Sequence, residues 1–230
     1  MDSTTLDNFQ ALTSKRTGSY GSYILNTGAK VQQWELLFGR YLYRTRFRDL
    51  APVLDIAPGR CWFTKQNPAQ IIGLDIEPAL VEHYSSQGLD VRQGDVKQIP
   101  FPDGAFQGVF CCWLFEHLPD PESALSDVRR VLQPGGYACI IVPTPKTLLR
   151  GFYDDYTHIR PFTKTSLTQL AKAVGFSKIV VDYLFYTRGS RHVLRLFGPD
   201  LTFRWLRLGD TLGRKLGVVN RWNFVLEAWK

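Results

Sequence analysis

Long hydrophobic runs are missing from this chain: no apolar stretch approaches the roughly 18 residues that cross a bilayer, which excludes a membrane-spanning helix. Cysteine is scarce. Cys61, Cys111, Cys112 and Cys139 show no C-x-x-C spacing, and three of them fall in or beside expected buried strands. That pattern predicts free thiols in a reducing compartment rather than disulfides or zinc, and no metal site is expected. There is no G-x-G-x-x-G, so a pyrophosphate cradle for NAD or FAD is poorly served. Internal repeats and low-complexity tracts are absent, and the first ten residues (MDSTTLDNFQ) lack a signal peptide's basic-then-apolar order. A cytoplasmic protein is the expectation. What is present is 230 residues with 44% hydrophobic and 21% charged content, enough for one domain over 1–230 with a real core.

The order of elements carries the fold class. Residues 1–50 read as a lead-in and helix. Its first 30 or so positions are polar, and over 31–48 Trp34, Leu37, Phe38 and Tyr41 recur at helical spacing. Strands are expected at 52–56, 71–75, 89–93, 107–112, 137–142, 177–185 and 222–230. Helices are expected at 78–87, opened by Pro78 and closed by Gly88, and at 121–132, with Leu125, Val128, Val131 and Leu132 on one face. Pro134-Gly135-Gly136 should end that second helix, and a further helix over 166–174 should end at Gly175. Seven strands alternating with helices predict an α/β fold with a doubly wound, mostly parallel sheet and a helical insert before the last strand. In such a fold ligands bind at the carboxyl ends of the strands.

Three acids stand at those ends. Asp55 opens the turn Asp55-Ile56-Ala57-Pro58-Gly59-Arg60 after the first strand. Asp75 follows about 20 residues later at the end of the second, where a carboxylate accepts two hydrogen bonds from ribose hydroxyls. Asp95 ends the third, within reach of an adenine amino group. Taken singly, Asp55 could cap the next helix and Asp95 could be a turn residue. All three together are much harder to explain that way.

The stretch GDVKQIPFPDGAFQGVF…EHLPDPESALSDVRRVLQPGGY resembles the class I S-adenosylmethionine-dependent methyltransferases, especially the group that includes ubiquinone and menaquinone methyltransferases. The resemblance covers 53–176 and the terminal strand. It implies that Asp55 orients the methionine end of S-adenosylmethionine, that Asp75 holds the ribose with Ile76 beside the adenine, and that Asp95 and Val96 read the adenine edge. Cys112 and Trp113 would lie beside the sulfonium. One departure stands out. The family's D-x-G-x-G-x-G turn here carries Ala57, Gly59 and Cys61, and a positive φ at alanine or cysteine is costly. Two readings follow: a working cofactor turn, or a non-catalytic relative serving as a binding subunit.

The loop 151–163 after the fifth strand should lie over the transferable methyl. It supplies Tyr153, Asp155, Tyr156, His158 and Arg160 as candidate substrate-facing residues, with His158 the candidate base or acceptor-orienting group. Asp155, His158, Arg160 and Phe162 also match a D-x-x-H-x-R-x-[FY] stretch of relatives acting on sugars and glycolipids. The plainer alternative is a histidine that pins the loop. Glu116 and His117 read as structural, while His83 and His192 carry no argument.

The formal net charge of +7 is concentrated in an insert at 188–221. There Leu201, Trp205, Leu208, Leu212 and Leu216 form an apolar stripe flanked by Arg204, Arg207, Arg214 and Lys215. Such a stripe either packs on the parent domain or lies on a membrane surface, the inner membrane for a cytoplasmic protein. No nucleic-acid-binding module is recognisable, so nucleic acid is not an expected partner. The expected activity is methyl transfer from S-adenosylmethionine to an oxygen or nitrogen of a small molecule, sugar or lipid-linked glycan.

Overall fold

The computed structural model describes residues 29–184, 190–216 and 222–230. Seven strands form one sheet: β1 (Val53–Ile56), β2 (Ile71–Asp75), β3 (Val91–Gln93), β4 (Phe106–Cys112), β5 (Leu132–Pro143), β6 (Lys178–Tyr183) and β7 (Asn223–Trp229). Their order across the sheet is β3-β2-β1-β4-β5-β7-β6. The first five neighbours run parallel, and β7 runs antiparallel between β5 and β6. Every residue of β1 is buried, as is nearly all of β4, which is why these segments read as unbroken apolar runs. The helices are α1 (Ala29–Leu42), α2 (Pro78–Ser85), α3 (Pro121–Val131), α4 (Lys164–Val174) and α5 (Ser190–Leu216). The doubly wound, mostly parallel architecture expected from the sequence is the one observed.

Each face of the sheet has its own core. On one side Leu125 and Val128 of α3 and Leu167 and Ala171 of α4 pack against Leu54, Val109 and Ile140. On the other, Trp34, Leu37, Phe38 and Tyr41 of α1 join Trp62, Phe63, Phe110 and Tyr137 in an aromatic cluster, with Phe63 and Phe110 rings 4.2 Å apart. Phe47 enters this cluster over Gly108, where a Cβ would stand 3.1 Å from the Phe47 ring. No larger residue fits there without displacing the ring.

Element ends differ from the sequence reading for identifiable reasons. The helix expected to run to Arg48 ends at Leu42 and continues as a wider turn over Tyr43–Phe47. Thr45 Oγ1 donates to the Tyr41 carbonyl at 2.7 Å, a back-bond that competes with the regular helical ladder. Helix α4 starts at Lys164 because Thr163 caps it through the Ser166 N–H, and the Ser166 hydroxyl returns the bond. Strand β5 begins at Leu132, so Pro134-Gly135-Gly136 lies within it as an irregularity, and regular pairing with β4 resumes at Tyr137.

Candidate functional site

Because β3, β2, β1 and β4 are parallel neighbours, their carboxyl ends line one edge, and the three acids expected at strand ends lie along it. Asp55 is in β1, Asp75 closes β2 beside it, and Asp95 follows β3. The turn after β1 holds Ala57, Gly59 and Cys61 at φ of 53°, 52° and 52°. All three substituted or retained glycine positions therefore keep the left-handed backbone that glycine adopts freely and other residues adopt at a cost. A Cβ built on Gly59 meets nothing within 4 Å, so this corner of the turn faces open space.

The acids differ in their surroundings. Asp75, 7% exposed, accepts the Glu77 N–H at 3.0 Å and backbone N–H groups of Gly59 and Ile76, which ties the β1 turn to the end of β2. Burial outweighs these bonds and pushes its carboxyl up to about 6. Ile76, next to it, leaves 55% of its surface exposed, an apolar shelf beside the carboxylate. Asp55 is fully buried, and its Oδ2 accepts both the N–H (3.1 Å) and the hydroxyl (2.7 Å) of Thr64. Burial raises Asp55 to about 7 in spite of those bonds. One of its oxygens thus holds the segment after the turn in place. Asp95 accepts the Lys97 N–H at 2.9 Å, while Val96 is buried against Ile99 and Leu74. At the end of β4 Cys112 is buried, whereas Trp113 projects outward with φ 58° and donates its indole N–H to Asn223 Oδ1. The turn is further anchored from outside the sheet: Arg60 Nε donates to Glu35 Oε2 of α1 at 2.6 Å, and Arg60 Nη2 pairs with Glu35 Oε1.

The loops after β4 and β5 are fastened to each other beside that edge. The Glu116 carbonyl accepts the N–H of Ile159 (2.9 Å) and of Arg160 (3.3 Å), and Arg160 Nη2 donates to the Pro119 carbonyl. His158 faces the Phe152 carbonyl through Nδ1, and its ring lies 4.4 Å from that of Phe152 and 4.5 Å from that of His117. The loop-pinning bond anticipated as the plainer role of His158 is therefore present. Tyr153 and Tyr156 are exposed, and Asp155 is occupied by Thr157, accepting both its N–H and its hydroxyl. Arg160 keeps a buried Nε that has no hydrogen-bond partner.

Sequence reasoning took Glu116 and His117 as structural and gave them no place in the site. Glu116 is 1% exposed, its Oε2 has no hydrogen-bond partner, and burial raises it to about 8. His117 is held below its ordinary value by burial and by His158. The only sequence signal was two adjacent titratable residues just past an expected strand end. Glu77, at the end of β2, was missed too; it is buried with an unpartnered Oε2.

The insert helix α5 kinks at Gly198-Pro199 and turns Thr202 and Leu206 inward, with the Phe203 ring against Tyr41 and under Arg44. The stripe at Leu201, Trp205, Leu208 and Leu212 faces out, as do Leu196 and Phe197. Of the two roles weighed for the stripe, packing on the parent domain is the one this overturns, because residues one position away occupy the buried face. Residues 1–28, Arg188 and Arg221 lie outside the described residues, as do the side chains of His192, Arg207, Arg214, Lys215 and Leu216. No helix among the described residues is long and apolar enough to cross a membrane.

Residues 54–140 match the protein family described as a methyltransferase domain. The chain is 34% identical over 131 residues to a demethylmenaquinone methyltransferase of Thermus thermophilus, covering 48% of this chain and 60% of that protein. It is 29% identical over 184 residues to a chloroplastic 2-methyl-6-phytyl-1,4-hydroquinone methyltransferase of Oryza sativa, covering 77% and 51% respectively. The chain spans about half the length of the curated relatives it matches. Among solved structures, an S-adenosylmethionine-dependent methyltransferase from Archaeoglobus fulgidus shares the fold with a TM-score of 0.61 at 23% identity, over 85% of this chain and 94% of that one. From β1 into β5 the chain thus matches a methyltransferase domain, and its fold is shared with an S-adenosylmethionine-dependent methyltransferase.

Proposed function

We propose that this chain binds S-adenosylmethionine along the carboxyl ends of β1 to β4 and transfers its methyl to an oxygen or nitrogen of a small acceptor carried on a lipid. The observation that carries the reading is the left-handed backbone of Ala57 and Cys61. A non-glycine residue in that region costs about 1–2 kcal/mol and persists only where its surroundings over-determine it, a pattern that gathers at binding sites. A turn that had lost its ligand would be free to relax. The neighbouring groups also suit the cofactor: Asp75 is a buried acceptor for ribose hydroxyls, Ile76 an exposed apolar shelf for adenine, and Asp95 a polar group for its edge. Asp55 contributes chiefly by holding Thr64.

When bound, the cofactor supplies an electrophilic methyl, so the chain's own work is alignment, which is worth on the order of 7–11 kcal/mol of barrier. His158 serves the acceptor. Its Nδ1 faces a carbonyl, which only accepts, so Nδ1 carries the proton and Nε2 presents a lone pair to an acceptor hydroxyl or amine. Tyr153, Tyr156, Asp155 and Arg160 border the same loop, with the two tyrosines offering exposed rings to a substrate. A lipid-borne acceptor fits the outward stripe of α5, where Leu201, Trp205, Leu208 and Leu212 lie beside Arg204. Two relatives are named for tailed acceptors, a demethylmenaquinone and a phytyl hydroquinone, which favours this choice over a free sugar.

Calorimetry with S-adenosylhomocysteine tests the core of the reading. Saturable binding to the wild-type chain that is lost in Asp75→Ala is expected. Absence of heat at high micromolar ligand would instead support a non-catalytic binding subunit.

A further inference from the structure

The loops after β4 and β5 bring together three side chains that no part of the methyl-transfer reading brings together. Glu116, His117 and His158 each place a metal-ligating atom within 4.8 Å of the others, the one such carboxylate–imidazole trio among the described residues. Hydrogen-bond accounting fixes which atoms are available. The Phe152 carbonyl can only accept, so His158 Nδ1 is the protonated nitrogen and Nε2 is bare. Thr157 has a single hydroxyl proton, and it goes to Asp155 Oδ1 at 2.6 Å. Thr157 Oγ1 must therefore accept from His117 Nδ1 at 2.8 Å, which leaves His117 Nε2 bare as well.

Two imidazoles thus stand with ring centroids 4.5 Å apart, each with its protonated nitrogen anchored to protein oxygen. Beside them lies the Glu116 carboxyl, whose Oε2 is buried and without any partner. A lone pair on each ring and an orphaned buried oxygen share at most the one proton that burial keeps on Glu116. That deficit is what a cation fills. Anchoring of the distal ring nitrogen by a carbonyl or by a carboxylate-linked hydroxyl is also the outer arrangement that orients metal-bound histidines.

We propose that Glu116, His117 and His158 bind one divalent transition-metal ion, of which Zn2+ fits best. Two imidazole nitrogens and one carboxylate oxygen form a three-ligand set that leaves a fourth position for an exogenous oxygen. Zinc bonds of about 2.0–2.2 Å require the ligand atoms to draw closer than they now stand, through side-chain rotation in two loops already fastened together. The expectation from sequence that no metal is held concerned cysteine spacing; these ligands are His and Glu, brought together from positions 116, 117 and 158 by the topology. With His158 Nε2 bound to the ion its lone pair is no longer offered to the acceptor, and the open position would instead take the acceptor's oxygen and ease its deprotonation. That last role rests on the proposed methyl transfer; the ion's binding does not.

The test is a titration of chelator-treated full-length chain with Co2+, followed by absorbance, and with Zn2+, followed by calorimetry. One ion per chain is expected, with visible d–d absorption of a low-symmetry site and no near-ultraviolet thiolate band. Glu116→Gln, His117→Gln and His158→Asn should each weaken the affinity by at least about tenfold. S-adenosylhomocysteine binding and the melting temperature, measured on the same samples, report whether a variant is folded and whether the cofactor reading itself holds. The wild-type cobalt spectrum needs no variant. Failure of the wild type to take up either ion at millimolar concentration would overturn the proposal. So would a thiolate band, which would assign the metal to Cys61, Cys111, Cys112 or Cys139, or uptake undiminished in the folded variants.

Discussion

The pair between Glu35 and Arg60 joins α1 to the turn that faces the cofactor edge, and breaking it should loosen both. The two side chains retain 10% and 16% of their surface, and the guanidinium meets the carboxylate with two nitrogens. Removing one partner of a fully buried pair costs about 3–5 kcal/mol, mostly because the other charge is left stranded. Residual exposure lets water reach the stranded group, so Glu35→Ala and Arg60→Ala should each cost about 2–3 kcal/mol. For a chain of this size each kcal/mol lowers the melting temperature by about 2–4 °C, so each variant should melt at least about 4 °C lower. The double variant strands nothing. Its cost should fall below the sum of the singles by about 0.5–3 kcal/mol, the range for groups in direct contact. Urea unfolding followed by tryptophan fluorescence measures the cycle, and calorimetry with S-adenosylhomocysteine shows whether the turn has slackened. Singles costing under about 0.5 kcal/mol and adding without coupling would refute the reasoning, since surface substitutions behave that way.

Further outcomes follow from the same geometry. Asp75→Ala should weaken S-adenosylhomocysteine by about tenfold to a hundredfold, the loss of hydrogen bonds to a charged acceptor, while calorimetry on Asp95→Ala should show a smaller effect. Ala57→Gly should leave that affinity within about threefold, because the backbone already sits at φ 53° and the gain of freedom is felt mainly by the unfolded chain. A large gain in affinity would show that the natural turn is poorly formed. Asp55 has a carboxyl raised by burial to about 7, so its folded form holds a proton more tightly than the unfolded chain does. It contributes stability that is fully present below the ordinary carboxylate range and is lost as pH rises toward 7. Asp55→Asn should therefore flatten the fall in stability between pH 5 and 7, and an unchanged slope in denaturant titrations would contradict this. Trp205→Ser with Leu208→Ser should abolish sedimentation with anionic vesicles and leave the melting temperature unchanged, since both side chains are exposed. A drop in melting temperature would mean that the stripe is packed after all.

Local chemistry was enough to settle the frame. Buried parallel strands need unbroken apolar runs, so β1, β2 and β4 were legible from residues 52–56, 71–75 and 107–112. The punctuation by Pro78, Pro121 and Gly175 marked helix ends because each acts through its own backbone. The acids at successive strand ends were legible for the same reason: chain order and period alone place Asp55, Asp75 and Asp95 at one edge. The long-range contacts were not. Whether the stripe of α5 faced the core or the solvent depended on a kink at Gly198-Pro199 and on Tyr41 and Arg44, far away in sequence. Periodicity gives the direction of an apolar face but not its partner. The commitment of Asp55 to Thr64 and the meeting of Glu116, His117 and His158 arise only once β4 and β5 lie side by side and their loops close on one another. Sequence names which groups stand at the sheet's edge. The fold decides which of their protons and lone pairs are already spoken for, because hydrogen bonds between distant segments exist only after the chain has packed.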